Sequence, residues 1–273
     1  MIPRAFIMEW REIAPWVEDR QVEQDLLLSR ALVELYSHPI IRGVAAFRGG
    51  TALHKLYLRP ALRYSEDLDL VQAETGPIGQ LLDAIHECLD PWLGKPRWKR
   101  GKGLTTFYYR FDPTEEAFAP GRLKIEINTR EHFSAFPLAS IPYEIDSRWF
   151  TGSAEIQTYA VEELLGTKLR ALYQRKKGRD LFDLWVASTR LKPDPGKIVG
   201  CCLHYLEKAN LRVSRAEIEA NLMGKLSDPG FLGDISPLLS PDAAWNEQEA
   251  AQWALDVLAP LFPGEPWKGR EGG

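Results

Sequence analysis

The sequence predicts an α+β protein with two parts, an N-terminal half that mixes helices and strands and a helical C-terminal half. Before residue 150, segments with apolar residues at helical spacing alternate with short β-branched and aromatic runs. From Val161 onward the periodicity is helical almost throughout. We therefore expect an α/β domain over residues 1–150 and a helical domain over residues 151–273.

The elements of the N-terminal half can be assigned in chain order. Helical periodicity covers residues 21–36, 51–57 and 78–93, and strands are predicted over residues 43–49, 63–72, 104–111 and 122–129. The last two strands are expected to be neighbours, joined by the turn-rich segment 112–121.

The C-terminal half consists of a series of predicted helices. These helices cover residues 161–175, 179–190, 195–210, 214–226 and 241–262.

Composition is that of a folded protein with a mildly acidic balance. Hydrophobic residues make up 45% of the chain and charged residues 26%, which excludes long disordered character. The formal net charge is −4, so contact with nucleic acid would require a local basic patch.

The cysteines and the N-terminal segment bear on location. Cys88, Cys201 and Cys202 form no C-x-x-C pair and no even disulfide framework, so they are expected to be reduced and buried. No signal-peptide core and no membrane span is predicted. The expected location is the cytoplasm, with no membrane partner.

The predicted strand at 63–72 carries an unusual polar face. Because side chains alternate across a strand, Arg63, Ser65, Asp67 and Asp69 share one face. Two carboxylates on one face repel each other unless water or a cation screens them. The short D-x-D pattern is also common on solvated strand faces. The sequence leaves both interpretations open, a solvated strand face and a metal site.

A Gly-Gly turn precedes this strand. Gly49, Gly50 and Thr51 follow a predicted strand and begin a predicted helix, an arrangement in which backbone N–H groups and the helix dipole can hold a phosphate. By itself such a turn can be purely structural. Together with Asp67 and Asp69, it suggests a nucleoside triphosphate bridged to metal ions.

A third carboxylate lies on a later strand. In the segment 123–128, Lys124, Glu126 and Asn128 point away from the apolar face. If this strand lies beside the D-x-D strand, Glu126 could face the two aspartates; otherwise it is an ordinary exposed residue. Mg²⁺ prefers oxygen ligands, and two such ions can activate an attacking oxygen and stabilise a leaving one.

The helical half contributes a lysine and an aspartate. Lys168 lies within the apolar stripe of its helix. Its ammonium group either extends to solvent at the edge of the stripe or serves as a cation that stabilises the charge of a phosphate. Asp180 lies in the first turn of the next helix, where the helix dipole favours an acid in any case. The sequence leaves both interpretations open.

Four segments in this order resemble the AbiEii/AbiGii nucleotidyltransferase toxins of the DNA polymerase β-like superfamily: "RGGTALHK", "RYSEDLDL", "KIEIN" and "KLRALYQRKKGRDLFDLW". They span residues 48–185. The resemblance implies a polymerase β-like core, a mixed sheet flanked by helices, followed by a helical domain.

The resemblance also implies roles for individual residues. Gly49 and Gly50 would hold the phosphates, while Ser65, Asp67 and Asp69 would form the nucleotide and metal centre. From the residue pattern itself, Thr51 and Arg63 are further candidates for nucleotide binding. Lys168 and Asp180 would be required for transfer. Mg²⁺ in a two-ion site is the implied cofactor, with Mn²⁺ as an alternative. Relative to the superfamily's Gly-Ser turn, this chain has Gly-Gly-Thr and a longer insertion before the D-x-D.

The implied activity is attack by an acceptor on the α-phosphate of an NTP, with pyrophosphate leaving. The family occurs in toxin–antitoxin and phage-defence loci, and some relatives add nucleotides to the 3′ end of tRNA, which blocks translation. An antitoxin encoded nearby is therefore expected. Basic segments 95–103 and 170–179 fit an RNA acceptor, although such runs are usually solvated faces.

Two other functions remain compatible with the sequence. One is a nucleotidyltransferase that modifies a protein side chain. The other is a noncatalytic module that binds nucleotide or RNA, with carboxylates that only cap a strand edge. Mg²⁺-independent NTP binding without pyrophosphate release would indicate the noncatalytic module.

Overall fold

A computed structural model describes residues 2–114 and 120–270 of the chain, with the side chain of Arg270 excluded. The chain forms two compact units. Of the described residues, those within 1–159 and 240–242 form the first unit, and those within 160–239 and 243–273 form the second. The predicted division near residue 150 precedes a strand at Thr151–Thr158 that belongs to the first unit.

Within its described residues, the first unit contains a seven-stranded mixed sheet with the order β3-β4-β5-β2-β1-β7-β6. The pairs β2–β5 and β1–β7 are parallel, and the other neighbouring pairs are antiparallel. The strands are β1 (Ala45–Arg48), β2 (Asp67–Gln72), β3 (Arg97–Gly101), β4 (Leu104–Phe111), β5 (Gly121–Asn128), β6 (Ala139–Asp146) and β7 (Thr151–Thr158).

Helices cover one face of this sheet. Helix α2 packs against β2, β5, β6 and β7, and α5 packs against β4 and α2. A π-helical turn, Leu53–Tyr57, continues α4. The helices of the first unit are α1 (Arg4–Trp10), α2 (Asp19–Ser37), α3 (Pro39–Val44), α4 (Gly49–Ala52) and α5 (Gly79–Leu93).

Alternation along the strands builds the core beneath these helices. Leu68 and Leu70 of β2, Ile125 and Ile127 of β5, and Phe107 of β4 are all at most 1% exposed. Burial of each such side chain stabilises the fold by about 1.5–3 kcal/mol. The polar residues between them are thereby placed on the opposite face of the sheet.

Two predicted elements begin at other residues in the structure. The strand expected over residues 63–72 begins at Asp67, so Arg63 and Ser65 lie in the irregular segment before it. The helix expected from Thr51 begins at Gly49. The predicted neighbours β4 and β5 are adjacent and antiparallel. In the turn expected over 112–121, residues 115–119 lie outside the described part.

The second unit is helical. Helix α6 packs against α7 and α8, and its buried residues include Leu165 and Leu169. The helices are α6 (Val161–Gln174), α7 (Gly178–Leu191), α8 (Pro195–Lys208), α9 (Arg215–Leu226), α10 (Pro229–Gly233) and α11 (Glu247–Trp253).

The three cysteines are free thiols. Cys201 and Cys202 are buried, as the sequence predicts, whereas Cys88 is half-buried. Burial raises the pKa of both Cys201 and Cys202 to about 12. In the part of the chain that the structure describes, no helix has the length and apolar character needed to cross a membrane.

Candidate active site

The two glycines of the Gly-Gly turn are the first residues of α4, which follows β1 directly. Gly49 has φ +84°, a left-handed conformation that favours glycine. A Cβ atom at this position would lie 2.2 Å from Oδ2 of Asp69. A Cβ atom on Gly50 would lie 2.3 Å from a guanidinium nitrogen of Arg63. Glycine at both positions therefore lets the backbone of the turn approach the Asp69 and Arg63 side chains closely.

Thr51 connects this turn to the beginning of β2. Its hydroxyl donates to the backbone oxygen of Asp67 at 2.6 Å, and its Oγ1 lies 2.8 Å from Oγ of Ser65. Because the Thr51 proton is used on the Asp67 carbonyl, Ser65 is the donor in the second bond. Thr51 itself is buried. These two bonds fix the spacing between the glycine turn and the D-x-D segment.

Arg63 is buried at 3% exposure and packs beside the turn. Its Nη1 donates to the backbone oxygen of Tyr64 at 2.9 Å. Arg63, Thr51 and Ser65 line a cavity of about 560 Å³, whose walls also include the aromatic rings of Trp16 and Tyr143. A cavity of this volume with mixed apolar and polar walls is of the size that small-molecule ligands occupy.

The predicted carboxylates share one face of the sheet. In the parallel pairing of β2 and β5, Asp67 lies opposite Lys124, and Asp69 lies opposite Glu126. On the other side of β2, Asp69 lies opposite Arg48 of β1. Residues paired in this way point to the same side of a sheet. Asp67, Asp69 and Glu126 are therefore neighbours, as the alternation in each strand suggested.

Lys124 lies between two of these acids. Its Nζ is 3.0 Å from Oδ2 of Asp67 and 2.9 Å from Oε2 of Glu126. Burial lowers the pKa of Lys124, but its hydrogen bonds to Glu126 and Asp67 outweigh burial and raise the pKa overall. The ammonium group is thus held in its charged form. The two carboxylates lie close enough together to share a single cation.

The oxygen atoms of these carboxylates are the type of ligand that a hard divalent ion prefers. Asp67 and Glu126 present oxygen ligands to a common position that Lys124 Nζ contacts in this structure. Over residues 2–114 and 120–270, no group of three or more His, Cys, Asp or Glu side chains is arranged as a metal cluster. Because Lys124 Nζ contacts both carboxylates, a divalent ion between Asp67 and Glu126 would require this lysine to move aside.

An arginine whose side chain is 17% exposed lies opposite Asp69, on β1. Arg48 forms an ion pair with Glu131. Burial lowers the pKa of Arg48, whereas the negative charges of Glu131 and Asp69 help to raise it, and the net direction is upward. The acidic face is therefore bordered by a fixed positive charge on β1. Sequence reasoning missed Arg48, although its position immediately before Gly49 was a usable signal.

The second unit holds Lys168 and Asp180 in a buried ionic cluster. Lys168 is 7% exposed, and its Nζ lies 3.3 Å from Oδ1 of Asp180 and 2.8 Å from Oδ2 of Asp183. Arg175 binds Asp180 through two nitrogens, at 2.7 and 2.8 Å. Sequence reasoning did not single out Asp183 or Arg175. The three-residue spacing from Asp180 to Asp183 places both acids on one side of α7.

Gly178 begins α7 at a crowded position. A Cβ atom there would lie 2.3 Å from the backbone oxygen of Phe231. Nearby, Lys225 is buried and donates to the backbone oxygen of Tyr173 at 2.9 Å. Burial lowers the pKa of Lys225 to about 8, with Asp180 opposing and Lys176 reinforcing the shift. The surroundings of Asp180 thus contain several cations within the second unit.

The sequence matches the model of a known protein family. The family model described as "Nucleotidyl transferase AbiEii toxin, Type IV TA system" matches residues 30–257. None of the curated proteins matches the chain in sequence.

Similar solved structures include MenT4, a nucleotidyltransferase toxin from Mycobacterium tuberculosis H37Rv, with 18% identity and a TM-score of 0.63 over 96% of this chain and 90% of that one. JHP933 from Helicobacter pylori is 19% identical, with a TM-score of 0.54 over 89% of this chain and 92% of that one. At such identities the likeness establishes the fold. The family match covers most of the sequence, and the chain therefore belongs to the AbiEii nucleotidyl transferase toxin family.

Proposed function

We propose that this protein transfers a nucleoside monophosphate from an NTP to the 3′ end of a tRNA in a Mg²⁺-dependent reaction, and thereby acts as a toxin that stops translation. The observation that carries this proposal is the convergence of Asp67, Asp69 and Glu126 on one sheet face, directly beside the Gly49–Gly50 turn. Such a face unites the groups needed for phosphate binding and for cation binding.

The nucleotide would be held by the first unit. Gly49, Gly50 and Thr51 would receive the phosphates, and the cavity beside Ser65 and Arg63 would take the rest of the NTP. Arg63 packs against the turn and would act mainly by keeping its shape. Close approach of phosphate to the backbone requires the absence of a side chain at the glycines.

The chemistry follows from the acids. The acceptor hydroxyl oxygen would form a bond to the α-phosphorus while the bond from that phosphorus to the bridging oxygen breaks and pyrophosphate leaves. Asp67 or Asp69 would orient the hydroxyl and take its proton. When bound by Asp67, Asp69 and Glu126, Mg²⁺ or Mn²⁺ would act as a Lewis acid on the phosphate oxygens. Lys124 would exchange its contact with these acids for one with phosphate oxygen.

Lys168 and Asp180 of the second unit are proposed to serve the same reaction. Both residues would be required for transfer, and Asp180 and Asp183 would hold the Lys168 ammonium group in place. Its near-complete burial fits a residue whose position is fixed before substrate arrives.

The proposed setting is a toxin–antitoxin or phage-defence locus in which a neighbouring gene encodes the antitoxin. The family description, a type IV toxin–antitoxin system, supports the antitoxin partner. The cytoplasm, where tRNA is available, is the proposed location. Exposed basic residues near the site support an RNA acceptor over an uncharged one.

The test incubates purified protein with total tRNA, Mg²⁺ and each α-labelled NTP in turn, and then separates RNA from protein. Wild type is expected to label tRNA, and Asp67→Ala is expected to label nothing. The matched control is Glu66→Ala, which removes the exposed neighbouring acid and should retain transfer. Label on protein alone would replace the tRNA acceptor by a protein side chain, and undiminished transfer by Asp67→Ala would refute the site.

A further inference from the structure

The basic hairpin at the edge of the sheet shares a face with the candidate site. Across β3, β4, β5 and β2, one row of paired residues runs Arg97–Tyr108–Lys124–Asp67. Because paired residues point to the same side of a sheet, Arg97 lies on the same face as the carboxylates. Three strand spacings, about 14 Å, separate the two ends of this row.

A second row runs beside the first. Lys99 lies opposite Thr106, Thr106 lies opposite Glu126, and Glu126 lies opposite Asp69. The alternate residues of β3, by contrast, belong to the helix-covered face: Trp98 lies opposite the fully buried Phe107. The basic stretch that is continuous in sequence is therefore divided between two faces, and only part of it points toward the site.

Two cations on the site face lie beside the aromatic ring of Tyr108, whose partner on β3 is Arg97. The Nζ of Lys99 lies 5.7 Å from the centre of the Tyr108 ring, and Cζ of Arg122 lies 5.0 Å from it. Arg97, Lys99 and Arg122 are all exposed. Among residues 2–114 and 120–270, no carboxylate forms an ion pair with any of the three. We call Arg97, Lys99, Arg122 and Tyr108 the basic platform.

We propose that the basic platform binds the phosphate backbone of the acceptor RNA and directs its 3′ end across the sheet to Asp67 and Asp69. This inference rests on the proposed transfer to RNA and names the surface that would receive it. Exposed Lys and Arg side chains neutralise backbone phosphates, and an open β-sheet face is a known way to hold single-stranded RNA. The positive charge at one end of the two residue rows and the acids at the other end would orient the bound RNA.

A competing explanation is that charged residues on the edge strand β3 only prevent association with another sheet edge. That role does not depend on which face a charge points to. The two explanations can therefore be separated by removing equal charge from the platform and from the rest of the same hairpin.

The experiment compares Arg97→Ala/Lys99→Ala with Arg100→Ala/Lys102→Ala, which removes two charges from the same hairpin without touching the platform. Both pairs are made in an Asp67→Asn background so that binding is measured without transfer. The probe is a fluorescein-labelled RNA hairpin that copies a tRNA acceptor stem with its single-stranded 3′ end. Equal melting temperatures of the two variants would establish that both are folded.

The platform variant should raise the RNA Kd at least tenfold at about 0.1 M NaCl and reduce the slope of log K against log salt by about 1.4. The control variant should stay within about twofold of its parent. Equal weakening by both variants, or by neither, would overturn the proposal.

A second measurement separates this proposal from the proposed reaction. With Asp67 intact, label transfer to the same RNA hairpin is expected to show a higher KM for RNA in the platform variant and an unchanged KM for NTP. Transfer with an unchanged KM for RNA would overturn the platform while leaving the reaction standing. RNA binding that follows the expected pattern, together with no transfer to RNA, would support the platform and refute the RNA reaction.

Discussion

Replacing Lys124 by Met should turn a neutralised pair of acids into a pair that needs an added cation. In the structure the ammonium group contacts both Asp67 and Glu126, at 3.0 and 2.9 Å. Methionine keeps much of the length of the side chain but removes the charge. The two carboxylates then face each other on adjacent strands with only water between them.

The size of the effect follows from these distances. Since both oxygens contact one nitrogen, they lie at most about 6 Å apart. Two unit charges at about 6 Å repel by about 0.7 kcal/mol at the dielectric constant of water and about 2.8 kcal/mol at an effective value of about 20. Asp67 and Glu126 are 36% and 28% exposed, so solvent screening favours the lower part of this range, about 1 kcal/mol.

Calorimetric unfolding with and without Mg²⁺ measures this effect. Lys124→Met should lower the melting temperature by about 2–4 °C. If its Mg²⁺ affinity is about 1 mM, then about 10 mM Mg²⁺ should return about 1.4 kcal/mol, more than wild type gains. NaCl of equal ionic strength controls for screening, and Arg122→Met, on the same strand and face, controls for loss of a charge. A destabilised Lys124→Met protein that gains no more from Mg²⁺ than wild type would refute the shared cation position.

Three further perturbations test other parts of the structure. Gly49→Ala should cost about 2–4 kcal/mol in urea titrations, from its positive φ and its approach to Asp69, and a second change, Asp69→Ala, should recover the steric part; no recovery would contradict the contact. Lys168→Met should cost about 3–5 kcal/mol because buried Asp183 loses its lysine, and Asp183→Leu should recover part of it. Burial lowers the pKa of Lys225 to about 8, so the unfolded chain binds more protons between pH 8 and about 10.4. The free energy of unfolding of wild type should therefore rise relative to that of Lys225→Met as pH increases through this window, by at most about 1.4 kcal/mol per pH unit. A difference in melting temperature between the two proteins that does not change with pH would refute this.

Strand alternation was the part of the sequence that predicted most about the site. It placed Asp67 and Asp69 on one face of their strand and Glu126 on the polar face of another, and the parallel pairing of β2 with β5 brings these faces together. The same alternation placed Lys124 on that face. Its contact with two acids could not be predicted, because register between strands far apart in sequence is set by tertiary packing.

Other features lacked a local signal. The alternation that begins at Arg63 continues into β2, so the sequence does not mark Asp67 as the first residue of the strand. Strand β6 carries Pro142 and many polar residues, which hides an alternation of Ile141, Tyr143 and Ile145. The role of Asp183 depends on helix packing that brings Lys168 to α7. In each case the missing information is a long-range contact.

Pyrophosphate release shows whether Asp67 and Asp69 carry out the proposed nucleotidyl transfer, because it does not depend on which acceptor is used. Wild type, Asp67→Asn, Asp69→Asn and the control Glu66→Gln would be assayed with all four NTPs, Mg²⁺ and a mixture of tRNA and protein acceptors. We expect pyrophosphate release by wild type and Glu66→Gln, and a loss of at least a hundredfold in the two Asp variants. Release by folded Asp67→Asn and Asp69→Asn at the wild-type rate would contradict this expectation.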